Sequence, residues 1–288
     1  MDNQKVKTPW WLWPNLLSLD APLVAVVWLF LFVDTWRIYW FPWQAYPVLF
    51  GVVWCIYSAD RVLDALRLKG TDMIQPRHII HYRLRYPLSL LWLIIFTACL
   101  SQIIWFPAST IEYGVIGVIL IGIYFILATK QKDGEIPLIK NSVAGITFAY
   151  GTSICALIQL PQTNWFTLLS GEFHGIPAIT GYALLCVLNI TAIDFWQVSR
   201  ASNDPETKAE IELAYASGLL LLMVGMMTFC ITDTTSSRYF YYAIMMAASS
   251  LLFISKIRSR LSLDLLRVLA DAVLILPLPF YLLMKAFA

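Results

Sequence analysis

Long apolar runs separated by short polar segments follow one another along nearly the whole chain. A helix needs about 20 mainly apolar residues to cross a bilayer. Nine runs approach this length, at residues 20–41, 44–63, 86–106, 111–129, 141–160, 176–198, 211–231, 238–255 and 265–286. The pattern predicts an all-α, polytopic membrane helical bundle of about nine transmembrane helices around a central cavity. No linker interrupts it, so residues 1–288 are expected to form a single transmembrane domain.

The distribution of charge between the loops predicts the orientation of this bundle. With nine spans, 17 of the 20 lysines and arginines fall on the N-terminal side of the membrane and 3 on the other. Short cytoplasmic loops carry such an excess of basic residues. We therefore expect a multi-pass protein of a bacterial inner membrane, with the N-terminus and the basic loops in the cytoplasm.

Composition excludes a soluble protein. Hydrophobic residues make up 59% of the chain and charged residues 13%, and the mean hydropathy is +0.70. Soluble domains carry about 25% charged residues. The net charge of +2 is spread over many short loops, which argues for a lipid bilayer as partner and against nucleic acid. The pattern makes no prediction of oligomeric state.

Two carboxylates end the second predicted span. Asp60 and Asp64 are four residues apart, so they share one helix face. A hard divalent cation such as Mg²⁺, with a phosphate as a further ligand, would offset their repulsion. Six basic residues lie in the same stretch: Arg61, Arg67, Lys69, Arg77, Arg83 and Arg85. The stretch predicts an Mg²⁺–diphosphate site at the membrane surface. The alternative is a charged helix end in which Arg67 neutralises Asp64.

Further ionisable residues lie toward the same side of the membrane. Asp194 is near the end of the sixth span, and Lys140 opens the fifth. Asp271 lies inside the ninth span, four residues after Arg267, which predicts an ion pair between them. Ionisable groups within spans usually face a cavity or a partner. We expect them to surround one cavity that takes an anionic ligand, with Asp194 as a metal or diphosphate contact or as a partner of Arg200.

Glycines are frequent in two of the spans. The fourth has Gly114, Gly117 and Gly122, and the fifth has Gly145 and Gly151. Small residues let membrane helices approach closely. We expect tight helix packing at both spans.

The layout and motifs resemble the UbiA superfamily of intramembrane prenyltransferases. The first aspartate motif of that family typically reads N-D-x-x-D-x-x-x-D. Asp60 and Asp64 match its last two acids, while Ile56 and Tyr57 occupy the Asn-Asp positions. Residues 137–141, PLIKN, are similar to the Pro-x-x-Lys-Arg entry to the fifth helix, with Asn in place of Arg. In the second motif Asp194 fits, and Val198 replaces its partner acid.

The resemblance implies a Mg²⁺-dependent prenyltransferase that ionises an isoprenyl diphosphate and transfers the prenyl group to a lipophilic acceptor, for example an aromatic one. The implied catalytic and metal-binding residues are Asp60, Asp64 and Asp194. The implied diphosphate-binding residues are Arg67, Arg77, Lys140 and Arg200. The cavity wall would include Tyr57, Asn189 and Asp271. Two alternatives stay open: a UbiA-type terpene cyclase that needs no acceptor, and a non-catalytic membrane subunit that retains the fold.

Overall fold

The computed structural model describes residues 9–67, 76–106, 108–129, 136–160, 173, 175–201, 204–232 and 237–287. All regular secondary structure in these ranges is helical. The α-helices are α1 (Trp13–Leu16), α2 (Asp20–Thr35), α3 (Ala45–Arg67), α4 (Pro76–Arg83), α5 (Arg85–Gln102), α6 (Ser109–Thr129), α7 (Leu138–Leu157), α8 (Ile176–Ala201), α9 (Pro205–Thr232), α10 (Arg238–Ile257), α11 (Leu263–Ile275) and α12 (Pro277–Ala286). Three 3-10 turns adjoin them, at Trp10–Leu12, Ile103–Trp105 and Arg258–Arg260.

Several of these helices are long and apolar enough to cross a membrane. Within the described ranges six segments qualify: Ala45–Leu63, Ser109–Thr129, Ile176–Arg200, Pro205–Thr232, Arg238–Arg260 and Leu263–Ala286. A seventh is added if Trp10–Leu16 and Asp20–Thr35, which meet at a bend of 79°, form one span. The prediction of an all-helical membrane protein is thereby confirmed. The count of nine spans and the orientation stay predictions.

Two predicted spans form helices that are long enough to cross a membrane but are less apolar than the six segments above. They are α5 and α7, which cover most of residues 86–106 and 141–160. In α7 the cause is visible, because Asn141, Thr152 and Ser153 lower its hydropathy and are all buried within the protein. Such polar groups are tolerated in a membrane helix that is surrounded by other helices.

Helix α2 forms the centre of the bundle. Its Trp28, Leu29 and Phe32 are completely buried, and the Trp28 ring stacks on Tyr182 of α8 with 4.3 Å between centroids. The Trp28 indole also donates to the Leu274 carbonyl over 2.9 Å. A helix that is apolar on all sides belongs in the interior. In contrast, α6 buries only Tyr113 among its described side chains, as expected of a helix that faces lipid.

Glycine allows one close helix contact. A Cβ atom on Gly145 of α7 would lie 2.6 Å from the Val187 backbone nitrogen of α8, so only glycine fits there. A Cβ atom on Gly114 or Gly122 of α6 would meet no described atom within 4 Å. The prediction of tight packing is therefore confirmed at Gly145. It is wrong at Gly114 and Gly122, because that face of α6 has no neighbouring helix in the described part of the chain.

Polar side chains gather at one end of the bundle. At this end the C-terminal parts of α3, α6 and α8 lie beside the N-terminal parts of α2, α7 and α11. We call this the polar end of the bundle and define it by Asp20, Asp60, Asn141, Asp194 and Arg267. The other end carries a separate group around Asp34, which receives hydrogen bonds from Tyr281 and Lys285 of α12.

Candidate functional site

Asp60 is held at the polar end by a neighbouring helix. It lies two turns before the end of α3, and its Oδ1 accepts a hydrogen bond from the Tyr124 hydroxyl of α6 over 3.0 Å. The bond orients the carboxylate toward the bundle. The side chains of Asp64, Arg67 and Arg77, three predicted site residues of the same stretch, lie outside the described residues.

Asp194 forms a hydrogen bond with a residue that is far from it in sequence. Its Oδ2 accepts a hydrogen bond from the Asn141 amide over 2.7 Å, which joins α8 to the first turn of α7. Asn141 is 1% exposed, and its Oδ1 is buried without a hydrogen-bond partner in the described structure. The neighbouring Lys140 is half-buried. A buried amide oxygen that makes no bond is costly, so it marks a place where a donor or cation can bind.

Arg200 makes a structural contact. Its Nη2 donates to the carbonyl oxygens of Arg258, over 2.6 Å, and Leu261. Arg258 in turn forms an ion pair with Glu212 of α9. Arg200 thus fastens the end of α8 to the turn between α10 and α11. The predicted alternative, in which Arg200 pairs with Asp194, is wrong, because the structure directs the Arg200 guanidinium to these backbone carbonyls and shows no ion pair between the two described side chains.

Two arginines of the polar end, Arg61 and Arg267, act on each other through their charges. Arg267 of α11 is 4% exposed and pairs with Asp264 at 3.3 Å. Arg61 and Asp194 are further charges that act on Arg267. The Nη1 of Arg61 and the Nε of Arg267 are both buried, and neither donates to any described group. Two mutually repelling cations with unused donors form a site that favours an anion.

Arg267 does not form the predicted ion pair with Asp271. Its carboxylate partner is Asp264, three residues before it on the same helix. Positions three and four residues apart are equivalent neighbours on a helix, so either carboxylate was within reach. The Asp271 side chain lies instead at the wall of a small cavity.

A small cavity lies beside Asp271. Residues of α2, α3, α7, α8 and α11 line it, among them Tyr57, Phe148, Asn189 and Asp271. Its volume is about 20 Å³, enough for one water molecule. The Tyr57 and Phe148 rings approach edge to face, with 6.3 Å between centroids, and close the apolar side of the cavity. Any larger ligand requires these side chains to separate.

The side chains at the polar end supply some, but not all, of the ligands that a Mg²⁺–phosphate complex needs. Within the described residues, the Asp60 and Asp194 hydrogen bonds engage one oxygen of each carboxylate, and the second oxygen of each could bind a cation. Among the described side chains, no three His, Cys, Asp or Glu residues lie close enough together to hold a metal ion. Mg²⁺ commonly takes one or two carboxylates and completes its shell with phosphate oxygens and water. The described carboxylates fit such a shared site and do not form an all-protein metal cage.

Comparison of the chain with protein-family models, curated proteins and solved structures gives no match. The likeness to the UbiA superfamily therefore rests on the motifs themselves.

Sequence reasoning missed two polar contacts of this site. Sequence reasoning treats Asn141 only as a departure from a basic motif, and it does not single out Asp20 as a site residue. A signal was present for both, because each is a polar residue in the first turn of a helix that begins at the side of the membrane to which Asp60 and Asp194 were assigned.

Proposed function

We propose that this protein is an intramembrane enzyme that ionises an isoprenyl diphosphate and transfers the prenyl group to a lipophilic acceptor. The proposal includes nine spans with the N-terminus and the polar end on the cytoplasmic side. One observation supports it: Arg61 and Arg267, whose charges act on each other, each have a buried N–H group that donates to no described atom, and the charge of Asp194 also acts on Arg267. A diphosphate with a divalent cation satisfies both groups, since its oxygens accept from arginine and bind the metal.

Residues at the polar end and at the small cavity have distinct roles in this proposal. Arg61 and Arg267 donate to the diphosphate oxygens and stabilise the negative charge that develops on the leaving group. Tyr124 and Asn141 orient the carboxylates of Asp60 and Asp194. Tyr57 and Phe148 present aromatic faces and edges at the cavity, where a face can stabilise a carbocation and the apolar walls exclude water.

Mg²⁺ is the implied cofactor. Asp60, Asp64 and Asp194 would hold it, and when bound it would supply Lewis-acid polarisation of the phosphate oxygens. Lys140, Arg67 and Arg77 remain candidates for further diphosphate contacts. Arg200 is a weaker one, since it already bonds two backbone carbonyls.

Two other functions keep the same fold. A terpene cyclase would use the same diphosphate site without an acceptor. A non-catalytic membrane subunit is favoured by a specific observation: the cavity beside Asp271 has room for one water molecule and none for an isoprenyl chain. The three functions differ in whether diphosphate is released and whether release needs an acceptor.

The deciding experiment measures pyrophosphate release by the protein in nanodiscs with geranyl, farnesyl and geranylgeranyl diphosphates. It is run with and without Mg²⁺ and with and without a lipophilic aromatic acceptor. Acceptor-dependent release supports transfer, and acceptor-independent release with a cyclic product supports the cyclase. The Asp60→Asn and Asp194→Asn variants are expected to lose release while staying folded, and Glu206→Gln, an exposed residue of α9, is the control. Absence of Mg²⁺-dependent release from every donor and acceptor pair would overturn the proposal.

A further inference from the structure

An open groove lies between α10 and α12 on the outside of the bundle. Five residues of α10, from Tyr242 to Ser250, line it together with Phe280 and Met284 of α12. Its volume is about 570 Å³, within the range of about 300–1,000 Å³ that small-molecule sites occupy. Phe280 is exposed, so the groove opens to the surroundings of the bundle. It shares no lining residue with the small cavity beside Asp271.

The groove suits a hydrocarbon chain. No charged side chain is among the described residues that line it. Its two hydroxyl groups are used within α10, because Ser249 donates to the Met245 carbonyl over 2.8 Å and Ser250 donates to the Met246 carbonyl over 2.9 Å. Methionine side chains, which adapt to irregular apolar partners, supply three of the seven lining residues. The groove therefore offers an apolar surface on which both hydroxyl donors are already engaged.

The groove begins near one end of the bundle and reaches the middle of the membrane. Helix α10 starts at Arg238, and its Phe240 packs on Phe32 near the end of α2 with 4.6 Å between ring centroids. This start is therefore at the end opposite to the polar end. From the helical rise, Tyr242 lies about 6 Å along the axis from Arg238, and Ser250 lies about 18 Å from it. Half of the hydrocarbon core of a bilayer is about 15 Å thick. The groove thus spans the depth of the acyl chains of one leaflet.

Arg238 stands at the outer end of this groove. It precedes Tyr242 by four residues, so the two share a helix face. Its exposed guanidinium lies 5.1 Å from the centroid of the Tyr239 ring, and its Nη2 donates to the Tyr239 hydroxyl over 3.0 Å. Among the described side chains no carboxylate pairs with Arg238, whereas Lys285 at the same end pairs with Asp34. A guanidinium has five N–H donors, so Arg238 has donors left for a phosphate group.

We propose that Arg238 and the groove together bind one anionic phospholipid. Its phosphate binds the Arg238 guanidinium, and one of its acyl chains lies between α10 and α12. A single lipid molecule supplies the anion and the apolar chain in this order of depth, because its acyl chains begin just below its phosphate. This match of charge and depth favours a lipid over a second copy of the protein as the occupant. The site is independent of the proposed enzymatic function.

A photoactivatable phospholipid tests the site in nanodiscs made of phosphatidylcholine. The probe is phosphatidylglycerol with a diazirine on one acyl chain, and labelled peptides are identified by mass spectrometry. A diazirine near the chain carbonyl should label α10 around Tyr242, and one at the chain terminus should label it around Ser249. Labelling of α10 and α12 should exceed that of α6, which also faces lipid. Added phosphatidylglycerol should displace the probe about fivefold more effectively than phosphatidylcholine, the difference that one arginine near the membrane surface provides.

Two substitutions separate the phosphate contact from the chain contact. In Arg238→Gln the preference for phosphatidylglycerol should disappear, while the groove still takes up the chain. Ser249→Phe places a ring in the groove from an exposed position and should lower labelling by both lipids. Arg85→Gln is the matched control, because Arg85 also begins a helix and its guanidinium also lies over tyrosine rings, those of Tyr82 and Tyr86. This variant should be labelled in the groove like the wild type.

Four results would overturn the site, and the first three need no variant to fold. The first is labelling of α10 and α12 no stronger than that of α6. The second is equal displacement by the two lipids, which would show that the groove does not recognise an anion. The third is the reverse order of labelling along α10, which would place the phosphate away from Arg238. The fourth is an unchanged preference for phosphatidylglycerol in folded Arg238→Gln. An unlabelled groove covered by a second copy, seen as a dimer in nanodiscs, belongs to the first result. Pyrophosphate release enters none of these measurements, so failure of the proposed function leaves the lipid site standing.

Discussion

Asn141 donates a hydrogen bond to Asp194 across 2.7 Å, from the first turn of α7 to α8. Asn141 occupies the position where the UbiA-like motif often has an arginine. The substitution removes a charge but leaves a donor that orients the carboxylate. The lone acid of the second motif thus has a fixed position without its motif partner.

Replacing Asn141 with alanine should weaken this arrangement. A hydrogen bond to a charged group contributes about 1.5–3 kcal/mol. We expect a lower unfolding temperature in detergent and a fall in pyrophosphate release of about ten- to a hundredfold. Thr97→Val is the control, since the exposed Thr97 hydroxyl bonds carbonyls of its own helix. Wild-type behaviour of Asn141→Ala would show that the bond does not position Asp194.

Replacing Arg267 with methionine separates ligand binding from stability. In the absence of ligand the change removes a buried cation that Arg61 repels, and it leaves Asp264, which is 40% exposed and can be hydrated. We therefore expect no loss of thermal stability. The stabilisation that a non-hydrolysable diphosphate analogue gives to the wild-type protein should disappear. A variant that is stabilised by the analogue as strongly as the wild type would remove Arg267 from the diphosphate site.

Gly145 and Gly114 give a matched pair of substitutions. The Cβ of Gly145→Ala would stand 2.6 Å from the Val187 backbone nitrogen, so α7 and α8 must separate. Overpacking of this kind costs about 1–3 kcal/mol. Gly114→Ala adds a methyl group that meets no described atom within 4 Å and should cost nothing. Thermal unfolding of both variants in the same detergent checks the difference; equal stabilities would contradict the close contact.

At the end of the bundle opposite to Asp194, Tyr281 joins α12 to α2. Its hydroxyl donates to Asp34 over 2.7 Å and lies 3.0 Å from the Thr35 hydroxyl. Tyr281→Phe removes both interactions, and we expect a loss of about 1–2 kcal/mol. Pyrophosphate release should be unchanged at temperatures where the variant is folded. Tyr39→Phe, which alters an exposed tyrosine, should change neither property. A Tyr281→Phe variant as stable as the wild type would refute the contribution of these bonds.

Asp204 should make the start of α9 sensitive to acid. The Thr207 side chain, the Thr207 backbone N–H and the Glu206 backbone N–H all donate to this carboxylate and lower its pKa. Because the pKa of Asp204 is lower in the folded protein, its carboxylate stabilises the folded state at every pH above its pKa in the unfolded chain. This stabilisation is lost as the pH falls through the pKa of the folded state. Hydrogen exchange in the first turn of α9 should be faster in Asp204→Ala than in the wild type at neutral pH. In acid the exchange rates of the variant and the wild type should become equal. A difference in exchange rate that does not change with pH would contradict the assignment.

The positions of the helices could be predicted from sequence because they depend on local properties. The apolar runs at 111–129, 176–198 and 238–255 became Ser109–Thr129, Ile176–Ala201 and Arg238–Ile257. The length and the apolar composition of a run can be read from the sequence without knowing which helices lie beside it. The first run, 20–41, was overextended: the helix ends at Thr35, and Arg37 adopts a left-handed backbone with φ of 53°.

The partners of the polar residues could not be predicted, because they depend on how each helix is rotated and which helix lies beside it. Sequence spacing treats Asp264 and Asp271 as equal partners of Arg267, and the folded structure pairs Arg267 with the first. Spacing also treats Gly114 and Gly145 alike, and of these two only Gly145 faces another helix in the described structure. The presence of acidic and basic residues at the ends of the apolar runs was determined by the chain itself. The contact between Asn141 and Asp194 was decided by tertiary packing, since it joins residues far apart in sequence.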